Sequence, residues 1–327
     1  MSRLLTCLLL ATGVSAHGVI LKTKGANGVV APGACVLDGT PRDCILNACG
    51  AQADAGIIRD AEIDQGKYGP LGWTQGGGNC KPDAVISSFM GLGTAPTYKG
   101  GRKKTGPEDD LSALGIKGNT RRRAKPRLMA RDESPLNLPG VGVAGLGGER
   151  TSYPEETIVG DMAGQGKMRG LPTTNDNGEI SLVYRQVCCM APIVCTRCSA
   201  KLMKFFSSSG FTCVKINQDG AGPLTAAIDS TSAATDPKAF QSAKMTYNVP
   251  GDGVFALSLA TSTNFDIKVQ MPEGAVCEGK VAGLDNVCFV RVRNQAPAGP
   301  FGGAGFFTQS SESRKRALAF RKRSLSK

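Results

Sequence analysis

Between Glu179 and Arg293 the chain alternates short β-prone segments with turn sequences, and that rhythm narrows the choice of fold more than any other feature. Residues 179–186, 224–228, 243–249, 254–260, 265–271 and 286–293 are each of strand length. Asn175-Asp176-Asn177-Gly178, Val249-Pro250-Gly251-Asp252-Gly253 and Met271-Pro272-Glu273-Gly274 separate several of them. β-Branched and aromatic side chains suit a pleated, half-buried surface, while Gly, Pro, Asn and Asp supply the dihedrals of tight turns. Residues 287–293 alternate apolar and basic side chains over their second half, as a strand with one wet face should. Several short strands at this spacing predict a mainly β protein, a β-sandwich. Cys277 and Cys288, with ten residues between them, form a natural hairpin staple.

The front of the chain argues for export. Residues 4–14 are apolar behind Arg3, too few to cross a bilayer, and small residues follow at Val14 and Ala16. That pattern predicts a signal peptide over residues 1–16 and a secreted, extracellular or cell-wall-associated product. No later apolar run is long enough to span a membrane. Cleavage after Ala16 makes His17, the sole histidine of 327 residues, the first residue of the mature chain. Twelve cysteines behind such a leader imply an oxidising destination and disulfides. Residues 17–88 are turn-rich and hold Cys35, Cys44, Cys49 and Cys80, which predicts loops and short strands pinned by bridges. Gly76-Gly77-Gly78 lacks the Gly-Lys-Ser/Thr of a phosphate loop.

The formal charge of +12 resides in two segments. Residues 99–131 carry eleven basic side chains against three acids, and residues 314–327 carry seven against none. Residues 89–170 are therefore expected to be a low-complexity basic linker, and residues 310–327 a basic tail. Arg122-Arg123 and Lys315-Arg316 are dibasic sites for a secretory-pathway protease. The remainder is close to neutral, which argues against specific nucleic-acid recognition. A sole, N-terminal histidine argues against an internal Ser-His-Asp hydrolase. Asp60, Glu62 and Asp64 alternate as on a strand or loop; such acids more often mark a solvated edge than a glycosidase pair. Trp73 serves equally as a sugar-stacking ring or as a buried anchor.

The last third carries a family resemblance. Asp219-Gly220-Ala221-Gly222-Pro223 after Ile216-Asn217-Gln218, Asn248-Val249-Pro250-Gly251, Gln270-Met271-Pro272-Glu273-Gly274 and Ala298-Gly299-Pro300-Phe301-Gly302-Gly303 occur in that order. Together with His17-Gly18-Val19-Ile20 and Thr40-Pro41-Arg42-Asp43-Cys44, this set resembles the Egh-like (MAS-type) secreted virulence factors of fungi. The resemblance implies a two-part domain over residues 17–88 and 171–309. It also implies a role in virulence and appressorium-mediated penetration, without an established catalytic activity or catalytic residue. Against the family pattern, residues 187–215 intervene between a strand and its following turn and bring five cysteines. We read them as a retained intron: 29 codons, opening on Val (GT) and closing on Lys (AG). Without them the mature chain keeps six cysteines, Cys35, Cys44, Cys49, Cys80, Cys277 and Cys288, an even number that suits an exported protein. Zinc at Cys195-Thr196-Arg197-Cys198 is the rival reading, weakened by the lack of a second pair or a histidine nearby.

Two further functions follow from chemistry. The predicted sandwich is similar to those of lytic polysaccharide monooxygenases, and the α-amine and imidazole of His17 offer half of a copper site. No second histidine completes it; Arg185 stands where one is sought, and Asp219 or Tyr184 would have to supply oxygen instead. The other is binding of fungal or host cell-wall polysaccharide without turnover.

Overall fold

The computed structural model describes residues 16–40, 53–99, 149–150, 155–188, 220, 222–251, 263–296 and 299–326. Within them, thirteen strands join into one continuous antiparallel sheet. They are β1 (Ala16–Lys24), β2 (Val30–Pro32), β3 (Gly56–Ile57), β4 (Trp73–Thr74), β5 (Gly78–Asn79), β6 (Glu149–Arg150) and β7 (Glu179–Cys188). The rest are β8 (Thr225–Asp229), β9 (Phe240–Tyr247), β10 (Thr263–Gln270), β11 (Gly279–Val281), β12 (Leu284–Arg293) and β13 (Phe301–Phe307). Their order is β2-β1-β7-β10-β9-β8-β12-β13-β3-β4-β5, with β11 on β12 and β6 on β10.

The expected two-sheet sandwich is therefore corrected to one curled sheet, and β9 is the physical reason. Residues 240–243 of β9 pair with β8, and residues 244–247 pair with β10 across a register shift. One strand thus carries the hydrogen-bond ladder around a corner instead of leaving two separate edges. The curl brings β1 and β7 over β12 and β13, and Ile20, Leu182, Tyr184, Ile228, Val290, Val292 and Phe307 fill the space between. β12 is buried on both faces, because Val287 and Phe289 enter a second core with Phe306 and the helix α2 (Pro82–Phe89). Pro82 starts α2, where a missing N–H costs nothing, and Val85, Ile86 and Phe89 form its buried face. Phe89 meets Phe306 edge-on with ring centroids 6.0 Å apart.

Five of the six predicted strands appear within a few residues of their expected bounds; residues 254–260 lie outside the described residues. Cys277 is bonded to Cys288 across the β11–β12 hairpin, and Cys35 to Cys80. Cys44 and Cys49 lie outside the described residues, as do residues 100–148 of the expected linker. Residues 155–170, assigned to that linker by composition, are built into the fold instead. They form the short helices α3 (Ile158–Asp161) and α4 (Gln165–Arg169), and Asp38 ties α3 down by accepting from Val159 N at 2.9 Å and Gly160 N at 2.6 Å. Burial raises the Asp38 carboxyl above its ordinary value, although these two bonds oppose the shift.

The tail also differs from expectation. Residues 311–325 form a helix, α5 (Ser311–Leu325), whose first turn is capped by Ser310 accepting from Ser313 N at 3.2 Å. Lys315-Arg316 lies inside this helix, not in an extended segment open to a protease. Asp60, Glu62 and Asp64 sit on α1 (Asp60–Asp64), a helix rather than a strand or loop. Asp60 receives two bonds from Arg293, at 2.6 and 2.8 Å, and these hold its carboxyl below the usual range. A depressed carboxyl contributes stability above its unfolded value that disappears as the pH falls. Asp60→Asn is therefore expected to flatten the acid limb of a denaturation profile while costing less than about 1 kcal/mol near neutrality, since Asp60 is largely exposed.

Candidate functional site

β10 shows how the fold builds an outward face. Phe265, Ile267 and Val269 point into the inner core, so Asn264, Asp266 and Lys268 project to the other side. On β7 the corresponding outward residues are Glu179, Val183 and Arg185, on β1 Lys22 and Lys24, and on β9 Thr246 and Tyr247. Residues 155–158 and Asp161 form the wall, held by the bonds Glu156 N to Thr40 O and Gly39 N to Glu156 O, both 2.8 Å. Together these enclose a groove of about 900 Å³.

The charges in the groove nearly cancel. Its cations are Lys22, Lys24, Arg185 and Lys268; its carboxylates are Glu155, Glu156, Asp161, Glu179 and Asp266. Most are engaged locally. Lys24 Nζ meets Asp266 Oδ1 at 2.7 Å, and Lys268 Nζ meets Glu179 Oε1 at 3.3 Å. Thr246 donates its hydroxyl to Glu179 Oε2 at 2.5 Å, and Arg185 Nε donates to Asn264 Oδ1 at 2.8 Å. Glu179 thus accepts from both Lys268 and Thr246. Tyr247, 60 % exposed, stands at the edge as an open aromatic ring. Chemically the groove offers hydrogen-bond donors and acceptors beside one ring, with little net field.

Of the residues singled out by sequence, Arg185 lines the groove, and Tyr184 and Trp73 do not. His17 is on β1 opposite Val187, five residues before Lys22, and its side chain is outside the described residues. Asp219 and Ala221 are likewise outside them. Among the described residues no group of three or more His, Cys, Asp or Glu side chains is placed to hold a metal ion. Tyr184 packs into the inner core and donates its hydroxyl to Gly220 O at 2.8 Å; burial pushes its phenol far above the ordinary value. The glycine–proline motifs fasten loops. Gly222 N bonds Pro250 O, while Asn248 both donates to Leu224 O and accepts from Leu224 N. Near the other motif, Gly299 O accepts from Arg59 Nε, Pro300 O accepts from Ile58 N, and Phe301, Gly302 and Gly303 begin β13. Trp73 is the buried anchor of the two uses considered for it: 5 % exposed, stacked on Tyr68 and donating to Glu62 Oε2 at 2.8 Å. The groove itself is not legible in the sequence, because the composition of its wall is that of a linker and its floor is drawn from four strands. The outward alternation Asn264, Asp266, Lys268 was the one signal available.

A curled antiparallel sheet, stapled by disulfides and carrying a polar groove, defines a disulfide-bonded β protein with no membrane-crossing helix among its described residues. The chain belongs to the Egh16-like virulence factor family, which matches residues 15–189 and 208–302. It is 41 % identical over 322 residues to the appressoria-specific virulence factor GAS2 of Pyricularia oryzae, covering 98 % of this chain and 92 % of that one. It is 35 % identical over 117 residues to the appressoria-specific virulence factor GAS1 of the same fungus, covering 32 % of this chain and 42 % of the other. No solved structure matches it.

Proposed function

We propose that this protein is secreted and acts at the fungal surface or the host interface by binding, without catalysis, a neutral cell-wall polysaccharide chain in the groove. The near-cancellation of charge in the groove carries this reading. A polyanion would be met by five carboxylates against four cations, and a cation by acids of which Glu179 and Asp266 are already ion-paired. A neutral chain rich in hydroxyls can use the amide of Asn264 and the exposed carboxylate edges while a sugar face rests on Tyr247.

Titration with chitohexaose and with laminarihexaose tests this. Binding of at least one is expected, weakened about fivefold or more by Tyr247→Ala, with the unfolding midpoint unchanged because that ring is mostly in solvent. Absence of binding to both, or release or oxidation of the sugars, defeats the proposal.

A further inference from the structure

Helix α5 divides its basic side chains between two faces. Arg314 donates to Cys277 O at 3.0 Å and Asn286 Oδ1 at 2.8 Å, and Arg321 donates to Gly274 O at 2.7 Å and Glu278 Oε1 at 2.8 Å. These bonds fasten the helix to the sheet, with Ser313 and Ala317 buried beneath it. The opposite face is different. Lys315 and Lys322 are seven residues apart, two helical turns, and so form one row; Leu318 and Leu325, also seven apart, form the row beside it. Leu318 is 47 % and Leu325 89 % exposed, two of the six large apolar side chains exposed among the described residues. Lys315 engages Glu312, one turn earlier on the helix, and Lys322 extends that row; Arg323 lies round the helix from the leucines, donating to Ala319 O and lining a cleft with Arg316 and Phe320.

We propose that the outer face of α5 is a docking surface for an anionic lipid bilayer. Leu318 and Leu325 enter the boundary between headgroups and acyl chains, and Lys315 and Lys322 reach the phosphates with their stems lying along the apolar layer. The positive charge selects anionic over zwitterionic lipid, and the leucine row selects a bilayer over a soluble polyanion, which has no apolar layer to receive it. The helix is already formed and fixed by its inner arginines, so docking requires no ordering of the segment. This surface does not depend on the groove or on what the groove holds.

Co-sedimentation of the full chain with vesicles tests the proposal, using phosphatidylcholine alone or mixed with phosphatidylserine. Binding is expected only to the mixed vesicles. Each basic residue near such a surface is worth roughly fivefold in partitioning, so Lys315→Glu with Lys322→Glu should lower binding by about tenfold or more. Leu318→Asn with Leu325→Asn should also weaken it, with the melting temperature of both variants preserved. Failure to bind the mixed vesicles overturns the proposal. So does binding that the leucine changes leave intact and heparin removes, which is charge attraction alone.

Discussion

Gly303→Val is expected to keep the two halves of the sheet from closing, lowering stability by about 3 kcal/mol or more, the upper part of the range for overpacked cores. β13 has no room to retreat: it is hydrogen-bonded to β12 on one side and β3 on the other. At Gly303 its backbone faces β1 so closely that an added Cβ would lie 2.7 Å from Ile20 N and 3.2 Å from Ile20 Cβ. β1 in turn is held by its ladder to β7. Relief requires one ladder to break, and native domains hold only about 5–15 kcal/mol in total. Urea denaturation of the variant measures the loss. Because the nearest atom is main-chain nitrogen, shrinking the partner by Ile20→Ala should recover only a fraction of it. An unchanged midpoint for Gly303→Val, or full rescue by Ile20→Ala, would show that the two halves do not meet here as described.

That glycine strand also explains what the sequence concealed. Strand propensity rests on side chains that fill a pleated surface, and 299–303 offers almost none. Its small residues permit backbone-to-backbone approach, a tertiary requirement with no local periodicity. The outer strands were legible for the opposite reason: residues 265–271 alternate because one face of β10 is core and the other is groove. Hairpin β11–β12 was legible through its cysteine spacing. The corner at β9 was not, since its eight residues carry no mark of where pairing passes from β8 to β10. Charge misled at α5, where an unbroken run of basic residues suggested a solvated tail. Three of those arginines are instead short-range donors to carbonyl, amide and carboxylate oxygens of the sheet's loops. The candidate site was least legible because its wall, 155–161, takes shape only through Asp38 and Thr40, more than a hundred residues earlier.

Joining Gln186 directly to Ile216 is expected to leave the fold intact and to raise its stability, which tests the retained-intron proposal at the protein level. β7 ends at Cys188, and the next described residue is Gly220. Gly220 O accepts the hydroxyl of Tyr184, two residues before Gln186 on β7. Five Cα-to-Cα steps, through residues 216–219, then span up to about 17 Å between Gln186 and Gly220. The family match breaks between residues 189 and 208, inside residues 187–215. Cutting the connection from 33 residues to 4 lowers the closure cost by about 2 kcal/mol in the simplest chain estimate. It also removes Cys188, Cys189, Cys195, Cys198 and Cys213, competitors for the native disulfides. The shortened protein should therefore retain Cys35–Cys80 and Cys277–Cys288 by peptide mapping, unfold at higher denaturant, and give less mixed-disulfide product on refolding. A destabilised or unfolded product would mean that residues 187–215 belong to the working fold, and a mature transcript that still encodes them would remove the genetic half of the case.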